Sequence, residues 1–263
     1  MQDNKLEVLL ISCDTHHIYS PVCQDLLELH VLPEISKATG QDRVLFYSSQ
    51  SKTLNGSVTN LTTGEIISNG LDSWTSRLLK ALNCVSAKYI FLVQEDHWYY
   101  RFLKASQIQV VLNALNARTD IAMVKLHSIA DFGSEGACVA SGDGVSVFEV
   151  GSQISYVVSH HATIFRRDWL LQNLQDAIKN EIHTPWEHEI WNMKNANVDK
   201  SQVLQINQDN APILESVVSR GHFRPRDFLN EHPNGDMPIS NSYLASSESM
   251  ACVALKNHIR SLS

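Results

Sequence analysis

Two adjacent carboxylates follow a stretch with the character of a buried strand. The apolar residues 89–93 have the length and β-rich composition of such a strand, and Gln94, Glu95 and Asp96 come directly after them. A turn at this point would ordinarily contain Gly, Asn or Pro. Neighbouring carboxylates repel each other unless a cation or hydrogen-bond donors compensate their charge. The pair is therefore suited to hold a divalent cation that neutralises a diphosphate, and the alternative is a solvated strand end.

Basic residues lie on the helix predicted before that strand. Arg77 and Lys80 stand three residues apart near the start of an amphipathic segment, residues 72–85, with Asp72 or Ser73 as its N-cap. The free amides of a helix start and nearby cations favour an anionic ligand. The alternative for Arg77 is an ordinary surface cation.

A second cluster of polar residues is P-W-E-H-E at residues 185–189. Proline is typical of a first helical turn, so Glu187 and Glu189 lie near the positive end of a helix dipole. Because they are two residues apart, they point to different sides of the helix, and only one should face a substrate. The alternative is that both satisfy the helix start. Asn192 stands where the zincin motif H-E-x-x-H needs its second histidine, which argues against a zinc protease.

Composition excludes several classes of protein. The chain has 263 residues, 43% of them hydrophobic, and a formal net charge of −7 without a basic run, so a nucleic-acid partner is not expected. Its five scattered cysteines contain no C-x-x-C pair and indicate reduced, mostly buried thiols. No apolar stretch approaches the roughly 20 residues that cross a bilayer, and the N-terminus lacks a secretory signal pattern. We therefore expect a cytoplasmic protein.

The predicted elements alternate between strands and helices over the first half of the chain. Strands at 7–12, 43–48, 89–93 and 121–127 alternate with helices at 21–39, 72–85 and 103–117, with a loop or irregular hairpin over 49–70. The first helix should bury Leu26, Leu29, Leu32 and Ile35 on one face. This alternation argues for an α/β fold with a largely parallel central sheet.

The second half is less regular. Residues 131–152 are Gly-rich and predict a loop, and residues 156–165 predict a strand that carries His160 and His161. Because side chains alternate along a strand, at most one of these histidines should line a site. A helix through Trp169 and Ile178, a helix from Pro185, and strands at 202–207 and 212–218 complete the pattern.

Two blocks of this sequence resemble a known family. S-W-T-S-R-L-L-K-A-L at 73–82 followed by K-Y-I-F-L-V-Q-E-D-H-W-Y at 88–99 is similar to the helix, strand and acidic loop of GT-A glycosyltransferases. More narrowly, it resembles bacterial enzymes that build cell-surface polysaccharides such as O-antigen and capsule. H-H-A-T-I-F-R-R and T-P-W-E-H-E, beginning at residues 160 and 184, form the second block. V-V-S-R-G-H-F at 217–223 is a weaker third.

The resemblance implies a fold class and a domain organisation. The fold would be a GT-A-like (Rossmann-like) mixed, largely parallel sheet flanked by helices. A single domain would cover residues 1–232, with a nucleotide-sugar half over about 1–127 and an acceptor half over about 128–232. Residues 233–263 would form a C-terminal loop and short helix.

The resemblance also implies roles for individual residues. Glu189 would be the catalytic base, with Glu187 as the reserve. The nucleotide sugar would contact Asp14, Thr15, Arg77, Gln94, Glu95 and Asp96, and the acceptor would contact Trp186, His161 and Trp98. For the strand-end residues at 14 and 15 a simple turn is the alternative, and for the aromatic and histidine residues it is core packing.

The family's metal motif is altered in this chain. GT-A enzymes usually coordinate Mg²⁺ or Mn²⁺ through Asp-x-Asp, whereas the sequence here is Gln-Glu-Asp-His. Asp96 can take the role of the final Asp and bind the cation. Alternatively, cationic side chains hold the phosphates without a tightly bound metal, from Arg77, Lys80, Arg224 and Arg226.

The implied function is a glycosyltransferase that moves a sugar from a nucleotide-sugar donor to a glycan acceptor, with inversion, in bacterial surface polysaccharide biosynthesis. The acceptor would be carried on a membrane lipid, which would place the protein in the cytoplasm at the inner face of the membrane. A metal-dependent phosphohydrolase is one alternative, because acidic strand ends and histidines also serve two-metal hydrolysis. A non-catalytic carbohydrate-binding protein of the same fold is the other.

Overall fold

The computed structural model describes most of the first 223 residues. The described ranges are 5–12, 20–47, 58–60, 73–126, 135–151, 157–194, 198–216, 218–219 and 222–223. Asp14, Thr15, Arg224, Arg226 and the predicted C-terminal segment 233–263 lie outside them.

Strands and helices alternate along the described chain. The strands are β1 Leu6–Ile11, β2 Val44–Tyr47, β3 Val58–Asn60, β4 Tyr89–Gln94, β5 His97–Arg101, β6 Met123–Lys125, β7 Glu135–Gly142, β8 Val145–Val150, β9 Thr163–Arg166, β10 Val203–Ile206, β11 Ile213–Ser216, β12 Val218–Ser219 and β13 His222–Phe223. The helices are α1 Ser20–Leu26, α2 Leu32–Thr39, α3 Trp74–Asn83, α4 Ala105–Ala117, α5 Arg167–Lys179 and α6 Pro185–Lys194, with a π-helical turn, Leu27–Val31, between α1 and α2.

Nine of the described strands form one sheet in the order β3-β2-β1-β4-β9-β6-β10-β8-β7. Strands β3, β2, β1 and β4 are parallel, the order of one half of a Rossmann fold. Strand β9 is antiparallel to both of its neighbours, β4 and β6, and β8 is antiparallel to β10 and β7. The remaining strands share one direction. The predicted fold class, a GT-A-like (Rossmann-like) mixed, largely parallel α/β sheet flanked by helices, is confirmed.

The core has two layers, one on each face of the sheet. Along β1, Val8 and Leu10 join the layer beneath α1, α2 and α4, whereas Leu9 and Ile11 join the layer beneath α3 and α5. This alternation follows from the two-residue period of a strand. Because both faces are covered, β4 is continuously apolar from Tyr89 to Val93, as its sequence predicted.

The first helical segment departs from the predicted pattern. The turn Leu27–Val31 is π-helical, which adds a residue to the turn and rotates the following residues around the axis. Leu27 and Val31 are therefore buried, and Leu29 is 52% exposed. The prediction that Leu29 packs inward was wrong for this reason.

The Gly-rich stretch predicted as a loop contains a hairpin. Strands β7 and β8 pair antiparallel around Asp143 and Gly144, whose φ angles are 50° and 80°. Two consecutive positive φ values are the signature of a type I′ turn, for which Asp-Gly is a preferred sequence. The glycine content of this segment therefore indicates a tight turn between two strands.

Three further sequence predictions need correction. Within 49–70, residues 58–60 form β3, which pairs parallel with β2 and so is not a hairpin arm. The strand predicted over 156–165 begins only at Thr163, and residues 157–162 precede it without regular structure. Among the thiols, Cys23 is buried, but Cys84 and Cys138 are exposed.

Among the described residues, no helix is long and apolar enough to cross a membrane.

Candidate functional site

One edge of the sheet collects the polar residues of both sequence blocks. Strands β4 and β6 point the same way and end there, at Gln94 and Lys125. Because β9 runs in reverse between them, the segment 157–162 that leads into it arrives at the same edge. Ligands of open α/β sheets bind at the carboxyl ends of the strands, so this edge is the candidate site.

The acidic turn follows β4 directly. Glu95 is buried and Asp96 is partly buried, while the next residue, His97, begins β5 and is buried. The Cys23 thiol donates hydrogen bonds to the carbonyl oxygens of Gln94 and His97, at 3.7 and 3.4 Å, which ties the turn to α1. The strand end is thus a structured turn.

His97 connects this turn to the second block. Its ring stacks on His161 with centroids 4.4 Å apart, and its Nε2 lies 3.8 Å from an Asp96 carboxylate oxygen. Burial lowers the pKa of His97 to about 4, so the imidazole is neutral near pH 7. The acidic turn and the segment before β9 therefore form one contiguous wall.

The segment before β9 is sharply bent. Ala162 has a φ of 35°, in the left-handed region that non-glycine residues rarely adopt. Its carbonyl accepts a hydrogen bond from Leu126 N at 2.8 Å, which fixes the bend against the end of β6. Backbone strain of this kind is commonly kept at functional sites. The bend leaves His160 buried and His161 half-buried.

Glu189 from α6 reaches this segment. The backbone N–H of His160 donates to its Oε1 at 2.7 Å, and the Ser159 side chain also hydrogen-bonds to it. Burial raises the pKa of Glu189 to about 7, although these hydrogen bonds and the positive charge of Lys125 oppose the shift. A carboxyl group that titrates near neutrality is suited to accept a proton in catalysis.

Lys125 belongs to a buried polar row that the sequence analysis missed. Register pairs it with Thr163 on β9 and with Gln205 on β10, and all three side chains are buried. In the sequence, the signal was a lysine inside an otherwise apolar predicted strand, I-A-M-V-K-L-H. A buried cation beside a carboxyl group is a recognised feature of functional sites.

A buried network behind Glu189 was missed as well. His160 Nε2 and His188 Nδ1 are 3.1 Å apart, and His188 Nε2 lies 3.4 Å from Asn192 Nδ2. Asn192 in turn exchanges hydrogen bonds with Asn173 of α5. The signal in the sequence was the i, i+4 spacing of His188 and Asn192, which places both on one helix face.

Glu187 occupies a different environment from Glu189. Its carboxylate accepts hydrogen bonds from the backbone N–H groups of His183 and Thr184, both at 2.9 Å, while Glu187 N donates to the Thr184 hydroxyl at 3.1 Å. This is a capping box at the start of α6. The exposed Glu187 thus satisfies the helix start, and Glu189 is the carboxylate that faces the sheet edge.

The aromatic residues separate into two groups. Trp186, at the start of α6, is 66% exposed and can offer a flat face to a ligand. Trp98 is 4% exposed and packs in the core, so the prediction that it stacks on an acceptor sugar is corrected to core packing. Half-buried Arg77 lies on α3, whose first residue, Trp74, packs against the His160 ring at 4.6 Å between centroids.

The oxygen ligands that Mg²⁺ and Mn²⁺ prefer are present at the acidic turn, in Glu95 and Asp96. No group of three or more His, Cys, Asp or Glu residues within the described ranges is arranged to hold a metal ion. The turn can therefore share a cation with a ligand that brings its own oxygens, such as a diphosphate.

Comparison with known proteins gives only distant similarities. No protein-family model and no curated protein matches the chain. The fold is similar to residues 1–349 of S. aureus TarS in complex with UDP-GlcNAc, with 13% identity over 95% of this chain and 69% of that one, and a TM-score of 0.48.

Two other solved structures are similar at the same level. The UDP-glucose pyrophosphorylase complexed with UDP-glucose aligns with 92% of this chain and 100% of its own, at 8% identity and a TM-score of 0.43. For 4-diphosphocytidyl-2C-methyl-D-erythritol synthase from Anaerococcus prevotii the coverages are 80% and 93%, at 12% identity and a TM-score of 0.42. These values are too low to assign a substrate or an activity to this chain.

Proposed function

We propose that this protein is a glycosyltransferase that moves a sugar from a nucleotide-sugar donor to a glycan acceptor with inversion at the anomeric carbon. The observation that carries the proposal is that the two sequence blocks meet at one sheet edge. The acidic turn Gln94–His97 contacts His161 through stacked rings, and the adjacent His160 N–H holds Glu189 at 2.7 Å. A two-substrate reaction needs this juxtaposition of a donor-side charge site and an acceptor-side base.

The residues support a direct displacement. The acceptor hydroxyl oxygen forms a bond to the anomeric carbon while its proton passes to the Glu189 carboxylate. At the same time the bond between that carbon and the donor's phosphate oxygen breaks, and the nucleotide leaves with the electron pair. Glu189 is partly buried and titrates near pH 7, which favours proton transfer at physiological pH.

The donor would lie along the acidic turn. Gln94 and Asp96 provide the accessible polar groups, with the buried Glu95 between them, and Arg77 lies on the helix whose first turn adjoins His160. Asp96, with Glu95 beside it, would hold a divalent cation, which supplies positive charge to the departing diphosphate. Asp14 and Thr15, outside the described residues, remain predicted donor contacts at the end of β1.

The acceptor would approach along α6. Trp186 presents an exposed ring at the start of this helix, and His161 stacks on His97 of the acidic turn. Flat apolar rings suit the C–H faces of a pyranose. We further propose that the acceptor is a growing bacterial surface glycan on a membrane lipid, such as an O-antigen or capsule precursor, and that the enzyme works in the cytoplasm at the inner membrane face.

A panel of sugar nucleotides tests the proposal. The purified chain is mixed with UDP-, GDP-, dTDP- and CMP-sugars, with and without Mg²⁺ or Mn²⁺, and thermal unfolding and donor hydrolysis are followed. Stabilisation by one nucleotide class, with slow hydrolysis of its sugar, is the expected result. Hydrolysis of generic phosphoesters without nucleotide preference would instead identify a phosphohydrolase. Binding of glycans without donor turnover would identify a carbohydrate-binding protein.

A further inference from the structure

Two consecutive residues of α6 hold one residue of the segment before β9. Glu189 accepts a hydrogen bond from the His160 backbone N–H at 2.7 Å, and His188 contacts the His160 ring, Nδ1 to Nε2, at 3.1 Å. His160 is therefore fixed at both its backbone and its side chain. Displacing the His160 ring would also displace the N–H that orients the Glu189 carboxylate.

The amide of Asn192 determines which nitrogen of His188 carries a proton. Asn192 Nδ2 donates to the His188 backbone carbonyl at 2.9 Å and to Asn173 Oδ1 at 3.3 Å, and Asn192 Oδ1 accepts from Asn173 Nδ2 at 2.8 Å. Because a carbonyl only accepts, the end of the amide that faces His188 Nε2 is the NH₂ group. An N–H at His188 Nε2 would face that NH₂ group donor to donor at 3.4 Å, so Nε2 is unprotonated and Nδ1 carries the proton.

The tautomer of His188 in turn determines the tautomer of His160. His188 Nδ1–H donates to His160 Nε2, so His160 Nε2 is an acceptor and its proton is on Nδ1. Both rings are buried, and Trp74 packs edge-on against His160, which leaves no room for a ring flip without repacking. Burial lowers the pKa of both histidines, so both rings are neutral near pH 7.

A purely structural network of this kind would satisfy all of its polar atoms. Here the buried atoms His160 Nδ1 and Trp74 Nε1 have no hydrogen-bond partner among the described residues. Leaving such an atom unpaired carries a free-energy cost. The unpaired atoms lie beside Glu189, whose carboxyl group faces the sheet edge. A functional requirement at this site explains why the fold keeps them.

We propose that Asn192 and His188 are positioning residues for Glu189, which act by fixing the tautomer and place of His160. The proposal rests on the proposed function, since it assigns the network to the base of that reaction. Neither residue touches the substrates. They set the position of Glu189, which contacts the acceptor.

The substitution Asn192→Asp tests this mechanism. An aspartate of nearly the same shape accepts hydrogen bonds where the amide donated them, so His188 must present Nε2–H and His160 must follow. Long-range proton–nitrogen NMR correlations report the tautomer of each ring directly. The matched control is Asn113→Asp, an exposed asparagine in α4 far along the chain from the site.

The expected result has two parts. In the wild type both histidines carry their proton on Nδ1, and in Asn192→Asp both carry it on Nε2. Transfer kcat then falls by about 10- to 100-fold with donor KM within about twofold, as expected when a catalytic group is misplaced but the donor site is intact. Asn113→Asp changes neither readout. If Asn192→Asp fails to fold, Asn192→Ala releases His188 to a mixture of tautomers and should lower kcat in the same direction.

Different outcomes overturn different claims. An Nε2–H tautomer of His188 in the wild type contradicts the proposed chain of hydrogen bonds. Switched tautomers with unchanged kcat contradict the positioning role but leave the glycosyltransferase proposal intact. If no donor is turned over, the proposed function fails. The NMR titration of the Glu189 side chain then decides the positioning role, and an identical midpoint in wild type and Asn192→Asp would refute it.

Discussion

Two glutamates in one short motif have opposite environments. Glu189 is partly buried, and burial raises its pKa to about 7. Glu187 is exposed, and hydrogen bonds from the His183 and Thr184 backbone N–H groups lower its pKa. When two neighbouring carboxyl groups have pKa values shifted in opposite directions, the one with the raised pKa can accept a proton and the other stays charged. Glu187 stabilises the helix, and Glu189 is the group that can exchange a proton.

Replacing Glu189 by Gln should abolish proton acceptance but keep the shape of the side chain. We expect transfer to fall by roughly 10²–10⁴-fold, while donor affinity, measured by calorimetry, stays unchanged because the base contacts the acceptor. A wild-type rate that rises with pH through about 7 should accompany this loss, since the carboxylate is the active form. Retention of the donor's anomeric configuration in the product would contradict the inverting mechanism.

Glu189→Gln should also change the thermal stability of the protein in a pH-dependent way. Because the pKa of Glu189 is raised above the ordinary 4.5, the neutral carboxyl group stabilises the folded chain below that pH. This contribution is lost as the pH rises through about 7. Above pH 7, Glu189→Gln should therefore unfold at a higher temperature than the wild type. Glu187→Gln is the matched control and should do the opposite, because it weakens the capping box by about 0.5–1 kcal/mol and leaves transfer nearly normal.

Asp96 is the residue on which donor use is expected to depend. Asp96→Asn removes the charge with little change of shape, so the protein should fold normally. Loss of one electrostatic contact to a transferring group costs on the order of 10²–10³-fold in rate. Steady-state kinetics with the preferred donor measures the loss, and a chelator titration of the wild type tests the cation separately. Near-normal turnover by folded Asp96→Asn would remove Asp96 from the site.

At the scale of elements, the π-helical turn decides which leucines hold α1 and α2 to the sheet. Leu26 is fully buried, whereas Leu29 is 52% exposed. Leu26→Ala should cost about 2–5 kcal/mol of unfolding free energy, because it leaves a cavity in the core. The matched change Leu29→Ala should cost less than about 0.5 kcal/mol. Equal losses in urea unfolding of the two variants would show that the π-helical turn is absent.

The sequence predicted an element correctly where a single local signal, such as an apolar run or an N-cap residue, determined it. The apolar run of β4 and the N-cap Ser73 of α3, whose side chain accepts a hydrogen bond from Ser76 N, were predictable because burial and capping have local signatures. Leu29 was misassigned because the π-helical turn breaks the 3.6-residue period without a mark in composition. The hairpin β7–β8 was missed because its glycines outweighed the Asp143-Gly144 turn signal.

The candidate site was partly predictable for a similar reason. Glu189 and the acidic turn belong to short contiguous motifs, so their chemistry is visible in sequence. Lys125 and Asn192 were not identified, because their relevance depends on contacts between segments distant in the chain. The register of Lys125 with Thr163 and Gln205 arises only once β6 lies between β9 and β10.

For the molecule as a whole, buried neutral histidines should control acid stability. Burial lowers the pKa of His97 and His188 to about 4, and that of His160 lies well below its ordinary 6.5. The unfolded chain takes up protons on these groups below about pH 6.5, whereas the folded chain does not. The free energy of unfolding should therefore be highest above that pH and fall as the pH drops towards 4. Glu189 opposes this trend, because burial raises its pKa to about 7.

Urea unfolding at several pH values between about 7 and about 4 measures this dependence. His97→Gln should flatten the acid limb, whereas the exposed His183→Gln should leave it unchanged. An acid limb of the same steepness in His97→Gln and wild type would mean that His97 is not buried in the neutral form.

The reversed direction of β9 also determines when the catalytic group is completed during folding. Strands β1, β2 and β4 can pair without it, whereas β9 occupies its central place only when its pairs with both β4 and β6 have formed. These long-range pairings hold the segment before β9 at the sheet edge, where the His160 N–H hydrogen-bonds to Glu189. A refolding chain should therefore regain strand structure first and catalysis afterwards, because the base is incomplete until the central gap in the sheet is filled.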